Sequence, residues 1–284
     1  MNSIHSNHSM RLGTPCFCGS DDFEVLLAHS KAYLFDGKRA IVKCRKCGVL
    51  TRSPSLFCDP SVRDDLPAAL NVVGRYAGDG GAAKDGFRRR LQRAAQLIGG
   101  RKVLDIGAGT GTFLAEAKAL GWDPSGTELD EHWRSVIMAA GFECLDVDIC
   151  SHRVSNERRD LVHANHVFEH MRDPLAALRN LREVLNPNGV VVIEVPYEFG
   201  RLKSVIRRLA GRGISSRTGF LEHEWFYSPG TLRSLLKQAG FDVLSLSTPR
   251  LAGISPARGA YLALEALFNR GPVIEAWARI RQRP

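Results

Sequence analysis

The feature that most constrains the fold is a glycine-rich turn between a buried strand and a helix, in the stretch VLDIGAGTGTFLAEA. Val103, Leu104 and Ile106 predict a short buried strand, and Phe113 to Leu120 starts a helix behind the turn. Because glycine has no Cβ, a ligand can approach the backbone N–H groups at the helix N-terminus. The sequence therefore predicts a ligand site at the carboxyl end of a parallel strand.

The spacing of the glycines separates this turn from two better-known phosphate-binding loops. Gly107, Gly109 and Gly111 form a G-x-G-x-G pattern, and position 112 is Thr where a dinucleotide fingerprint would have glycine. A phosphate-binding P-loop would also need a Lys-Ser/Thr pair, which this turn lacks. An acidic residue, Asp105, lies within the preceding strand. This pattern favours a ligand with a cationic head group over one with a pyrophosphate.

Further strands alternate with helices along the chain. PSGTELD ends a second strand at Glu128, about 20 residues beyond the glycine turn, where a carboxylate can accept both hydroxyls of a ribose. FECLDVDI predicts a third strand ending in Asp148, a fourth runs from Asp160 to Ala164, and GVVVIEVP predicts a fifth. This alternation indicates an α/β, Rossmann-like, doubly wound fold with a mostly parallel sheet.

Taken together, these motifs resemble a class I S-adenosylmethionine-dependent methyltransferase, over roughly Gly86 to Thr248. The resemblance implies S-adenosylmethionine as cofactor. The contacts that it implies are Gly107, Gly109, Gly111 and Asp105 at the methionine portion, Glu128 at the ribose, Asp148 and Ile149 at the adenine, and Asn165 in the same pocket.

The cysteines predict a metal site near the N-terminus. Seven is an odd number, and the polar first residues do not form a secretory signal, so a disulfide framework is disfavoured. Two pairs, in PCFCGS and CRKCGVL, are each followed by a glycine that allows a tight turn, and short strands are predicted between them. Four thiolates satisfy one tetrahedral zinc ion. The predicted ligands of this small zinc ribbon are Cys16, Cys18, Cys44 and Cys47, with Cys58 as a possible substitute.

Composition shifts divide the chain into four predicted parts. These are a zinc-ribbon-like module at 1–60, a linker with the helix that leads into the next domain at 61–100, the cofactor-binding domain at 101–250, and an amphipathic C-terminal tail at 251–284. In the tail, Val273, Ile274, Trp277 and Ile280 would share one helical face, which predicts contact with a membrane surface or a partner. The apolar runs are too short to span a bilayer, so we expect a cytoplasmic protein.

The segment FLEHEWFYSPGTL provides the candidate catalytic residues. It resembles the EH-x-x-x-x-S stretch of zinc-bearing methyltransferases of the nucleotide-sugar C-methyltransferase kind. The resemblance implies that Glu222 and His223 lie at the acceptor, where a histidine beside an acid can be a base. A structural role for both residues is the alternative. Ser228 and Pro229 are predicted to start the following helix as its N-cap and first residue.

A second polar cluster follows the fourth strand. His166, Glu169 and His170 lie there, and we rank His170 behind His223 as a base, whereas His163 within the strand is expected to be a core histidine. In the methyltransferases that the chain resembles, a histidine at the position of His170 commonly has a structural or cofactor-pocket role.

Charge bears on the acceptor. The chain has a formal net charge of +9, and residues 201–217 carry six basic residues and no acid, so they could form a lid that attracts an anionic acceptor or a solvated helix face. We expect methyl transfer to a small-molecule or glycan-linked acceptor, including a nucleotide sugar, at oxygen or carbon. An RNA methyltransferase and a non-catalytic zinc-ribbon module are the alternatives. The sequence ANHV after the fourth strand argues against a nucleic acid partner, because base-amino methyltransferases carry an Asn/Asp-Pro-Pro-aromatic loop there.

Overall fold

The computed structural model describes residues 9–11, 15–28, 40–53, 80–154, 157–199, 223–249 and 272–282. Their helices are α1 (Gly80–Leu97), α2 (Thr112–Ala119), α3 (Glu131–Ala139), α4 (Pro174–Val184) and α5 (Pro229–Gln238), with a 3-10 helix at Phe168–His170. Their strands are β1 (Ser9–Arg11), β2 (Asp22–Ala28), β3 (Ala40–Cys44), β4 (Leu50–Ser53), β5 (Lys102–Ile106), β6 (Asp123–Thr127), β7 (Glu143–Leu145), β8 (Arg159–Asn165), β9 (Leu185–Pro196), β10 (Trp225–Phe226), β11 (Phe241–Ser247) and β12 (Val273–Ile280).

Seven of these strands form one sheet in the order β11-β12-β9-β8-β5-β6-β7. The pairs from β9 through β7 are parallel, and β12 is antiparallel to both β9 and β11. The run from Val190 to Val195 is buried throughout, as expected for a strand covered on both faces. These features confirm the predicted doubly wound α/β fold. The strand order reverses between β5 and β8, which is where such sheets bind ligands.

The helix starts follow local capping chemistry. Ser228 caps α5 by accepting a hydrogen bond from the Thr231 N–H, and the Thr231 hydroxyl accepts one from the Ser228 N–H. Pro229 is the first residue of α5, as predicted. The helix predicted from Gly86 begins earlier, at Gly80.

The C-terminal segment corrects one prediction. Val273–Ile280 is a strand, β12, that lies between β9 and β11 and is not an amphipathic surface segment. Ile274 and Trp277 are both buried, and the guanidinium carbon of Arg93 lies 4.4 Å from the Trp277 ring centroid. The physical reason is that the sheet needs an antiparallel strand at this position, and β12 fills it with apolar side chains on both faces. The rest of the predicted tail, residues 251–271, lies outside the described residues.

The second sheet has the order β1-β2-β3-β4-β10. Its first four strands come from the predicted ribbon module, but β10 comes from residues 225–226 and pairs antiparallel with β4. The sheet therefore extends beyond the predicted boundary at residue 60 and joins the ribbon to the larger domain. Among the described helices, none is long and apolar enough to cross a membrane.

Candidate active site

The glycine turn has the backbone geometry that its sequence predicts. Gly107, Gly109 and Gly111 have φ angles of +65°, +52° and +74°, in the left-handed region where side chains are strained. A Cβ at Gly107 would lie only 2.7 Å from Val167 Cγ2. The Gly109 N–H donates a hydrogen bond to Glu128 Oε2 at 2.8 Å. The backbone conformation therefore favours glycine at all three positions, and at Gly107 the lack of space excludes a side chain as well.

A cleft of about 340 Å³ opens in front of this turn, at the carboxyl ends of β5, β6 and β8. Its lining includes Gly107, Glu128, Asp148, Ile149, Val167 and His170. The prediction that the first strands of the sheet hold a ligand at this edge therefore has a matching cavity. At this edge of the cleft, the Val167 side chain packs directly against the backbone of Gly107, where a Cβ would collide with it.

Glu128 is positioned by backbone donors on both of its oxygens. Oε2 accepts from the Gly109 N–H at 2.8 Å, and Oε1 accepts from the Asp130 N–H at 3.0 Å. A carboxylate offers about four lone-pair sites, so two remain for further donors such as a ribose diol. The residue thus fits the role that the resemblance assigns to it.

Asp148 lies at the other end of the cleft. The third strand ends at Leu145, three residues earlier than predicted, so Asp148 is in the following loop. Burial opposes ionisation of this carboxyl, but hydrogen bonds from the Cys150 N–H and the Ser151 hydroxyl lower its pKa. Asp148 and Ile149 both line the cleft, and their contact with the adenine of the cofactor stays a prediction.

Asp105 lies beneath the turn. It is buried, and its Oδ1 is 2.7 Å from His163 Nδ1. Burial raises the pKa of Asp105, and the neighbouring His163 opposes this. The His163 ring stacks on Phe113 with centroids 3.8 Å apart and is 1% exposed, which confirms it as a core histidine. Asp105, predicted as a contact of the methionine portion, is therefore held in a buried pair with His163 and is not among the residues that line the cleft.

Asn165 lies in a buried ion network that the sequence did not reveal. Its Oδ1 accepts from Arg90 Nη1 at 3.1 Å, and it is not among the residues that line the cleft. Arg90, on α1, also pairs with Glu194 and, at 2.8 Å, with Glu275. One sequence signal for this network was available. Arg90 directly precedes Leu91, which lies on the apolar stripe of α1, and an arginine that is buried beside such a stripe must be paired.

The two predicted polar clusters come together around one buried carboxylate. Glu169 is 1% exposed, and its Oε1 lies 3.3 Å from His166 Nδ1, 3.9 Å from His170 Nε2 and 4.0 Å from His223 Nε2. The other ring nitrogen of His223, Nδ1, lies 3.2 Å from Glu198 Oε1. We call these five residues the Glu169 cluster. The sequence predicted four of its members but not their proximity.

The charges of the Glu169 cluster support one another. Burial lowers the pKa of His223, but Glu198 and Glu169 outweigh it, so the pKa is raised above its ordinary value. The pKa of His166 is raised against burial in the same way by Glu169. Burial raises the pKa of Glu169, but His166, His170 and His223 outweigh it and hold the pKa below its ordinary value. The cluster is therefore built around an ionised carboxylate and protonatable imidazoles.

Glu198 is the carboxylate that the structure places beside His223. It follows the end of β9 and so lies at the same edge of the sheet as the cleft. Glu222, which the sequence predicted as the partner of His223, lies outside the described residues. No local signal connects Glu198 to His223, because the two are brought together by the sheet.

His166 has an unusual backbone at the end of β8. Its φ angle is +56°, although it is not a glycine, and its N–H donates to the Glu194 carbonyl at 2.9 Å. A left-handed backbone at a residue with a side chain costs on the order of 1–3 kcal/mol. Such strain is often found where a side chain must be directed into a functional site. Here it directs His166 towards Glu169.

The four predicted zinc ligands lie together. The sulfur atoms of Cys16 and Cys47 are 3.5 Å apart, those of Cys18 and Cys44 are 3.6 Å apart, and all four lie within 4.8 Å of one another. A tetrahedral zinc ion with bonds of about 2.3 Å separates its sulfur ligands by about 3.8 Å, so this set fits zinc. Cys58 lies outside the described residues.

The turns that present these sulfurs also follow the sequence. Gly19 and Gly48 each follow a cysteine pair and have φ angles of +78°. A hydrogen bond from Cys16 lowers the pKa of Cys47 to about 5, so a thiolate is available in the cluster. Glu169, His170 and His223 form a second group of possible metal ligands within 4.8 Å of one another.

Strand order and glycine turn together define the class of protein. A parallel sheet whose last strand is antiparallel and inserted beside the edge, with a cleft between the glycine turn and the carboxylate after β6, is the fold of class I methyltransferases. A model for the methyltransferase domain family matches residues 65–246, which is more than half of the chain. The chain therefore belongs to this methyltransferase domain family.

The individual relatives that the chain matches share less than a third of their aligned residues with it. The chain is 29% identical over 186 residues to a tRNA U34 carboxymethyltransferase of Methylococcus capsulatus, which covers 59% of this chain and 51% of that protein. It is 26% identical over 228 residues to the C-methyltransferase NovU of Streptomyces niveus, which covers 75% of this chain and 49% of that protein. The chain thus spans about half the length of these two relatives.

One solved structure illustrates the shared fold. The plantazolicin methyltransferase BpumL, in complex with SAH, has a TM-score of 0.55 and 15% identity, and the match covers 78% of this chain and 93% of that one.

Proposed function

We propose that this protein transfers a methyl group from S-adenosylmethionine to an acceptor that lies against the Glu169 cluster, with His223 as the proton acceptor. One observation carries the proposal: the cluster adjoins the cleft. His170 lines the cleft, and its ring centroid lies 4.8 Å from that of His223. A ligand in the cleft and an acceptor at the cluster would therefore be neighbours.

The residues have separate tasks in this proposal. When bound, S-adenosylmethionine supplies a methyl group on a sulfonium sulfur, which is a good leaving group. Glu128 accepts hydrogen bonds from the ribose, and the backbone at Gly107 contacts the methionine portion. As the acceptor bonds to the methyl carbon and the bond from that carbon to the sulfonium sulfur breaks, the imidazole of His223 would take the proton that the acceptor loses, and the neutral thioether would leave. Glu198 orients this imidazole and stabilises its protonated form, as the acid of a histidine–acid pair does.

For the acceptor, we propose an anionic small molecule or glycan-linked molecule, methylated at oxygen or carbon. The match to the C-methyltransferase NovU supports carbon as the methylated atom. The formal charge of +9 supports an anionic acceptor. The basic segment 201–217, for which the sequence leaves both a lid and a solvated helix face open, lies outside the described residues. RNA is the second candidate because another relative is named for tRNA.

We also propose that the ribbon binds one zinc ion through Cys16, Cys18, Cys44 and Cys47. The separations of the four sulfur atoms support this assignment. Elemental analysis of protein purified under reducing conditions should find one zinc per chain. Cys44→Ser should lose it, whereas Cys144→Ser, at a buried cysteine outside the ribbon, should keep it. Purified wild-type protein without zinc would contradict the assignment.

The methyl-transfer proposal is tested in two stages. Calorimetry first measures the affinity for S-adenosylhomocysteine of the wild type and of His223→Gln, which should be similar because His223 is not part of the cofactor lining. Mass spectrometry then follows transfer to sugar nucleotides, phenolic acids and tRNA, where the product gains one methylene unit. A wild-type protein that binds no S-adenosylhomocysteine would support the non-catalytic alternative. Full activity of His223→Gln on the acceptor found would remove His223 from the mechanism.

A further inference from the structure

The two-residue strand β10 connects the ribbon to the segment that carries His223. It pairs antiparallel with β4, with Trp225 opposite Thr51. The buried Thr51 hydroxyl donates to the Glu224 carbonyl at 2.9 Å, and the Arg52 N–H donates to the same carbonyl at 3.4 Å. The backbone immediately after His223 is thus held by the last ribbon strand.

The same short segment holds the 3-10 helix that carries Glu169 and His170. The Glu224 N–H donates to the Glu169 carbonyl at 2.8 Å. The Trp225 indole Nε1 donates to the Met171 carbonyl at 2.8 Å, in a buried hydrogen bond. The backbone that carries Glu169 and the residue after His170 are therefore fixed from the side on which the ribbon lies.

Trp225 also contacts the metal-ligand turn of the ribbon. The ring of Phe17, which lies between Cys16 and Cys18, has its centroid 5.7 Å from that of Trp225. Trp225 is 6% exposed, so its indole has the ribbon on one side and the Met171 carbonyl on the other. A small cysteine-rich module has little apolar core of its own, so its structure depends on its cysteine site.

We infer that Trp225 is a positioning residue through which the folded ribbon sets the orientation of His170 and His223. The catalytic importance of this orientation rests on the proposed function. The contacts of Trp225 with Phe17 and Met171 do not depend on it. Gly107 and Glu128, which also line the cleft, directly follow β5 and β6, and these strands do not pair with the ribbon sheet. Disturbing Trp225 should therefore affect the cluster more than the cofactor-binding wall.

The test replaces the indole and observes the histidines directly. In ¹³C-histidine-labelled full-length protein, the signals of His170 and His223 are assigned with His170→Gln and His223→Gln. Trp225→Phe keeps an aromatic ring against Phe17 but removes the donor to Met171, and it should shift or broaden both signals. S-adenosylhomocysteine affinity should change less than about threefold, because the lost hydrogen bond is to the backbone of Met171 on the cluster side of the cleft, while the contacts at Gly107 and Glu128 stay in place.

Trp277→Phe is the matched control. Trp277 is also buried, and its Nε1 donates to Glu275 Oε1 at 2.7 Å, in the seven-stranded sheet and not in the ribbon sheet. It should lower thermal stability as Trp225→Phe does, yet leave the His170 and His223 signals in place. Equal effects of both variants on these signals, or no effect of Trp225→Phe, would overturn the inference.

A second arm perturbs the ribbon itself. Cys16→Ser should produce the same two signal changes as Trp225→Phe, because it loosens the turn on which Phe17 lies. Amide hydrogen exchange shows whether the ribbon of this variant is loosened. If it is, and the His170 and His223 signals are unchanged, the coupling is refuted. If wild-type protein fails to bind S-adenosylhomocysteine, the proposed function fails, while the signal changes still decide the coupling.

Discussion

Glu128→Gln isolates the contribution of one carboxylate to cofactor binding. Its two oxygens already accept from the Gly109 N–H at 2.8 Å and the Asp130 N–H at 3.0 Å. Glutamine has the same length, but its NH₂ group cannot accept a hydrogen bond. One backbone donor or one ribose hydroxyl must therefore lose its acceptor, and the remaining bonds lose the assistance of the negative charge.

The expected loss follows from the strength of charged hydrogen bonds. Such a bond contributes about 1.5–3 kcal/mol, and about 1.4 kcal/mol corresponds to a tenfold change in Kd. Because Glu128 is only half-buried, we expect the lower part of this range. The affinity for S-adenosylhomocysteine should therefore fall by about 10- to 30-fold.

Calorimetry on the purified protein measures this without an identified acceptor. Glu131→Gln is the matched control, because it removes the same charge three residues away from an exposed position in the first turn of α3. It should leave the affinity within about twofold of wild type, since exposed charges contribute little. Wild-type affinity in a folded Glu128→Gln variant would refute the assignment of the ribose to Glu128. An equal loss in Glu131→Gln would mean that net charge, and not the contact, controls binding.

Three other predictions test separate parts of the structure. Glu198→Gln should lower the pKa of His223, as followed by NMR titration, and should move the rise of activity to lower pH, because the neutral imidazole is the base; an unchanged pKa would argue against this pair. Trp277→Ala should cost about 3–5 kcal/mol of unfolding free energy in urea, and a loss under about 1 kcal/mol would contradict a core position for β12. Gly107→Ala should reduce S-adenosylhomocysteine affinity and thermal stability more than Gly109→Ala, because only the Cβ at Gly107 meets another side chain; the reverse order would count against this geometry of the glycine turn.

The parts of the site that the sequence predicted are those set by local chemistry. The glycine turn needs left-handed backbone at Gly107, Gly109 and Gly111, and few residues other than glycine can adopt it. The cysteine pairs are likewise short-range patterns, each closed by a glycine. The helix start at Ser228 depends on residues within three positions. In each case the physical cause and the sequence signal lie in the same few residues.

The segment Val273–Ile280 shows where local patterns stop being decisive. Its apolar residues at 273, 274, 277 and 280 fit one face of a helix, and they fit equally a strand that is buried on both faces. What decides between them is the space beside β9, whose residues pair with β12 from Pro196 to Val190. That space exists only in the assembled sheet, so no window of the sequence contains the information.

The Glu169 cluster combines both situations. Glu169 and His170 share one short motif with His166, but His223 reaches them from more than fifty residues later, because β10 pairs with β4 of the N-terminal sheet. Glu198 comes from a third segment, at the end of β9. The position of the proposed base is thus set by a strand pair with the ribbon, and not by its neighbours in sequence. A sequence motif can identify such a histidine, whereas its acid partner follows from the fold that brings the end of β9 beside β10.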